Sequence, residues 1–137
     1  MTAVIRVDVD GTVTRCDGTD LVGLASAALG STIEIVACNP HTFAPFPDDQ
    51  WVILAIDEIA RLRERPHVVN LKAWSLYGRS PIVGTAFIAL DVDDDGHRED
   101  LPDAWIEAFT ADPTWVGIDV RDRMDTVARM EGCTWPQ

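Results

Sequence analysis

Lysine is nearly missing from this chain: Lys72 is the only one, and the 11 Lys and Arg residues face 23 Asp and Glu, a formal net charge of −12. A balance of that sign excludes the broad electrostatic grip on nucleic-acid phosphates that basic surfaces provide. The one basic cluster is "RLRER" at 61–65. No apolar run approaches the roughly 20 residues that cross a bilayer, so no membrane segment is expected. The strand-like pattern begins so early that no secretory leader is expected either. Cysteine is sparse, with Cys16, Cys38 and Cys133 at no C-x-x-C spacing. An odd number so placed suits a reducing cytoplasm better than a disulfide framework. His41, His67 and His97 are scattered, none of them at metal-ligand spacing from another His or Cys. The chain also lacks a P-loop, a local Ser-His-Asp signature, an internal repeat and a low-complexity tract.

What is present is a chain of 137 residues that is 47% apolar, enough for one domain with a real core, spanning 1–137. In "VIRVDV" (4–9), Ile5, Val7 and Val9 alternate with Arg6, Asp8 and Asp10, which reads as a half-solvated antiparallel strand. Asp10-Gly11 favours a two-residue type I′ turn, and 12–15 supplies β-branched residues for the return strand. Leu21, Leu24, Ala25, Ala28 and Leu29 fall at helical spacing, with Asp17, Thr19 or Asp20 to cap the start and Gly30 to end it. "STIEIVAC" (31–38) is a further alternating strand, and "NPHTFAPFPDD" (39–49) a proline-rich loop. The segment 50–65 fits either a helix lined by Val52, Ala55, Ile56, Ile59 and Leu62 or a strand, turn and strand. Asn70 caps a short helix over 70–78, and 81–90 is a strong, central strand. Pro102 opens another helix, and 117–132 is amphipathic, with a tail carrying Trp135. The expected fold is α+β, a mostly antiparallel sheet of about five to six strands that starts with an N-terminal hairpin and carries two to four helices.

Two motifs carry candidate chemistry. "DVDGTVT" (8–14) resembles the first motif of the haloacid-dehalogenase-like phosphotransferases, in which one Asp is the nucleophile and the next a general acid/base. That resemblance implies a Mg²⁺-dependent site assembled from Asp8, Asp10, Lys72 and Asp93. Against it, a nucleophile strand buried on both faces should be continuously apolar, and this one carries Arg6 and Asp8. The second motif is "DVDDDG" (91–96). Asp91, Asp93, Asp95 and Gly96 match the first half of a calcium-binding EF-hand loop, but Pro102 stands where the bidentate Glu is needed. A weak cation site at Asp91, Asp93 and Asp95 or a solvated acidic loop is expected there.

Taken in order, "IRVDVDGTVT", "ALGSTIEIV", "WVILAIDE", "NLKAWSLYG" and "PIVGTAFIALDVDDDG" resemble a family of small domains of unknown function encoded largely by bacteriophages (notably actinobacterial phages), plasmids and other mobile elements. The resemblance covers roughly 3–110. Ser31-Thr32 depart from it where a glycine and an aromatic are common. It implies an accessory protein in the cytoplasm of a bacterial host, a turn at Asp10-Gly11, and strand-turn-strand over 51–63. It brings no catalytic residues and no cofactor.

The functional expectation is a non-catalytic binding module acting on a host protein, a defence or regulatory component. Phe43, Phe46 and Trp51 in and beside the proline-rich loop are its candidate contacts. The alternative is a sponge for a small nucleotide-type ligand, with Trp74 and Tyr77 to stack and Arg79 to meet phosphate. DNA mimicry fits less well, because Arg61, Arg63 and Arg65 interrupt the acidic surface. The sequence leaves a homodimer open.

Overall fold

The structure, a computed structural model, describes residues 1–30, 32–38, 51–59, 67–77, 82–111 and 133–134. It opens with the expected hairpin, β1 (Val4–Val7) paired antiparallel with β2 (Val13–Arg15). The turn differs from the two-residue form. Asp8 N–H donates to the Thr12 carbonyl and Gly11 N–H to the Asp8 carbonyl, both at 3.0 Å, so the loop is the three residues Val9, Asp10 and Gly11. A type I′ turn needs positive φ at two consecutive residues, and here Gly11 (φ 91°) has it while Asp10 does not. Asp10 instead accepts the Thr12 N–H on Oδ1 at 2.9 Å, closing the turn from its side chain.

Asp20 caps α1 (Leu21–Leu29) by accepting from Gly23 N–H, and Gly30 (φ 97°) ends it. β3 (Ile33–Cys38) and β4 (Val52–Asp57) then pair antiparallel over six residues each. Within the ambiguous segment, 52–57 is therefore a strand followed by a turn at Glu58-Ile59; its other residues, 50 and 60–65, lie outside the described residues. Strand wins over helix because Val52 to Ala55 are all buried, and a surface helix would turn part of that run to water. β5 (His67–Val68) leads to α2 (Leu71–Tyr77), and β6 (Ala86–Leu90) takes the centre of the main sheet, whose order is β2-β1-β6-β4-β3. α3 (Asp103–Ala111) begins one residue after Pro102. β7 (Cys133–Thr134) pairs in parallel with β5.

Every pairing in the five-stranded sheet is antiparallel. Its two faces are covered by different helices. On one, Ile5, Val7, Leu54, Ile88 and Leu90 pack with Trp74 and Leu76 of α2 and with Trp105 and Phe109 of α3. On the other, Val4, Ile53, Phe87 and Ala89 pack with Leu21 and Ala25 of α1. The first strand alternates as expected, with Ile5 and Val7 fully buried and Arg6 and Asp8 half-exposed on the other face; α1 covers that other face only at Val4, which is fully buried. Arg6 stays at the surface by lying over the Phe87 ring, 6.0 Å from its centroid. The architecture is α+β as expected, with three helices among the described residues. The loop at 39–49, the amphipathic segment at 117–132 and Trp135 lie outside the described residues.

Candidate functional site

Asp8 stands at the end of β1 and is half-buried, its side chain 30% exposed. Its Oδ1 accepts from Arg6 Nε and from Thr85 Oγ1, both at 3.0 Å. These bonds tie the hairpin to the start of β6. Lys72 is buried in α2 and donates to the carbonyls of Phe109 and Thr110, 2.9 Å each, with its ammonium 5.5 Å from the Phe109 ring. It caps the C-terminal end of α3, where the last carbonyls lack helical partners. Asp10 is exposed at the turn. Asp93 lies beyond the far end of β6. Since Thr85 precedes and Asp91 follows that strand, they are six residues apart, about 20 Å at strand rise. The four residues of the phosphotransferase set are therefore not brought to one point. The strand bearing Asp8 also runs antiparallel to both of its neighbours.

The stacking set is corrected at its first member. Trp74 is 3% exposed, because α2 turns it onto the sheet, and no ring so placed can stack on a ligand. Tyr77 is half-buried against the same core. Arg79, Phe43 and Phe46 lie outside the described residues. Trp51 is the residue of that group that stands out, 51% exposed at the mouth of β4.

The acidic stretch forms a turn of its own. Asp93 N–H donates to the His97 carbonyl, and Asp93 Oδ1 accepts from the N–H groups of Asp95 and His97 at 3.0 and 2.8 Å. Val92 and Arg98 bridge across it. Arg98 fastens the turn to the body by donating to the Leu90 carbonyl and to the Thr19 carbonyl. Asp93 thus spends one oxygen on its own backbone. Among the described residues, no three His, Cys, Asp or Glu side chains converge as metal ligands, Asp91, Asp93 and Asp95 included.

What the fold does bring together is Trp51 and that acidic turn. Asp91 N–H donates to the Trp51 carbonyl at 2.8 Å, because β4 and β6 are antiparallel neighbours and the start of one meets the end of the other. Trp51, Asp91, Asp93, Asp94, His97 and Glu99 line a cleft of about 360 Å³. Glu99 was not singled out in the sequence, and His97 was noted there only as a scattered histidine. The signal was the pairing of 52–55 with 87–90, which composition does not reveal. Partial burial pushes the Cys16 thiol above its ordinary value. Compared with family models, curated proteins and solved structures, the chain finds no match.

Proposed function

We propose that this protein is a non-catalytic binding module that holds a basic segment of a partner protein at the Trp51 end of the sheet. The observation that carries the reading is an exposed tryptophan beside a row of exposed carboxylates, Asp91, Asp93 and Asp94, in one cleft. An indole face attracts a guanidinium or ammonium group, and neighbouring carboxylates complete its charge. The net charge of −12 steers a basic partner toward the molecule. The mobile-element resemblance supports the further reading that the partner is a bacterial host component.

Titration with an arginine-rich peptide, followed by Trp51 fluorescence and calorimetry, tests this. Binding should weaken at least tenfold in Trp51→Ala and in the triple variant Asp91→Asn, Asp93→Asn, Asp94→Asn. It should also fall steeply as salt rises from 50 to 500 mM. Equal affinity in all three proteins, or none in any, removes the reading.

A further inference from the structure

The second feature lies at the opposite edge of the sheet from β3. β2 is an edge strand, and its bonds to β1 show which of its backbone groups are used. Asp8 N–H to Thr12 O and Cys16 N–H to Val4 O fix 8/12 and 4/16 as the closely bonded pairs, and the alternation of an antiparallel ladder makes 6/14 the third. Val13 and Arg15 therefore turn their N–H and C=O groups away from β1, and among the described residues no hydrogen bond satisfies those groups. Natural sheets usually cover or blunt such an edge. Here it borders a cleft of about 560 Å³ between β2 and α3, lined by Val13, Arg15, Ile106, Glu107, Thr110 and Ala111. The Arg15–Asp103 ion pair, 2.7 Å long, ties the first residue of the helix to the strand.

We infer that β2 accepts an extended segment of the partner as an added strand, which pairs with the backbone of Val13 and Arg15 and sets an aliphatic side chain into the cleft against α3. Strand addition of this kind draws affinity from main-chain bonds and specificity from the pocket that takes alternate side chains. The occupant is a basic segment, by charge complementarity. Past Arg15 the chain runs into the exposed carboxylates of Asp17 and Asp20, and the Arg98–Thr19 bond sets the acidic turn at 91–97 against that same loop. A second copy of this chain would bring another −12 to the same edge. The inference rests on the proposed function, since it assigns a second contact to the same partner.

The test uses a nine-residue peptide with a Thr-Val-Thr-Val-Thr core and Lys-Arg at each end, and a control carrying Glu in place of the four basic residues. With the whole protein, the basic peptide should slow amide exchange at Val13 and Arg15 at least tenfold, and the acidic control should bind at least tenfold more weakly. Ala111→Trp, which fills the cleft from an exposed position, should cost at least tenfold in affinity with an unchanged melting temperature. Val13→Pro, which deletes one outward N–H, should also cost at least tenfold in affinity, with a lowered melting temperature because Val13 packs against the core. Binding that is lost in Trp51→Ala but leaves the amides of 13 and 15 unprotected overturns this inference and leaves the proposed function standing. No binding of the basic peptide at all removes both. Protection at 13 and 15 that grows with protein concentration alone assigns the edge to a second copy and overturns the inference.

Discussion

Asn70 is fully buried, and both ends of its amide are engaged. Oδ1 accepts from Ala73 N–H at 3.2 Å, which caps α2, while Nδ2 donates at 2.9 Å to the carbonyls of Val7 and Gly84. The cap was readable from Asn70 standing before "LKAWSLY". The two donations were not, because their acceptors lie 63 and 14 residues away in the chain. Asn70→Ala should therefore cost more than a lost cap, about 2–4 kcal/mol in urea unfolding, since it also removes the side-chain donor to two carbonyls. Asn70→Asp should be no better, as it keeps the cap but sets a carboxylate against those carbonyls. Lys72 gives the matching case. As the lone lysine it invited a catalytic role, yet Lys72→Met should act on stability, lowering it by about 1–3 kcal/mol as the end of α3 loses its donor. Two exposed carboxylates predict the acid limb of stability. The Thr12 backbone N–H holds Asp10 below the ordinary 3.8, and the Arg15 guanidinium does the same for Asp103. A group depressed in the folded state contributes fully above its unfolded value and loses that contribution as pH falls through the folded one. Stability measured from pH 5 down to pH 2 should decline, and less steeply in Asp103→Asn.

At the scale of elements, the hairpin and the helix ends follow local rules, and these were legible. The exact loop was not. Asp10-Gly11 satisfies a two-residue and a three-residue turn alike, and the register Val7 opposite Val13, which places both on the α2–α3 side, selects the longer one. Gly11→Ala should destabilise by about 1–2 kcal/mol through the positive φ alone, because the added methyl would meet the Lys72 side chain only at an ordinary 3.8 Å. Gly11→Asn should recover part of that loss, and denaturant midpoints will rank the three proteins. β6 carries the largest core penalty. All five of its residues are buried between the two helical layers, so Ile88→Ala should cost about 2–5 kcal/mol. Its continuous apolar run identified it as central. The run at 52–56 was as apolar and stayed ambiguous, since periodicity separates faces only where one of them is wet.

Across the whole molecule, charge is the dominant asymmetry. The chain sets 23 Asp and Glu against 11 Lys and Arg, a net charge of −12. Screening should therefore relieve more repulsion than it removes attraction. Raising sodium chloride from 0.05 to 0.5 M should raise the melting temperature by on the order of a few degrees, while it weakens any complex with a basic partner. A fall in melting temperature would show that local pairs outweigh the global repulsion. The same salt series thus reports on stability and on binding with opposite signs.

Composition, alternation and capping residues by themselves determined the α+β class, the first hairpin, a first helix capped by one of Asp17, Thr19 and Asp20, a second capped by Asn70, and the central place of 86–90. These follow from local backbone preferences and from the solvent contrast along each element. Tertiary structure alone decided that Asp8 and Asp93 stand at opposite ends of β6, that Trp74 is core while Trp51 is surface, and that an acidic turn closes beside that tryptophan. The reason is strand order and register. Which ends of the sheet meet, and which face each helix covers, depend on contacts between residues tens of positions apart, and no local pattern encodes them.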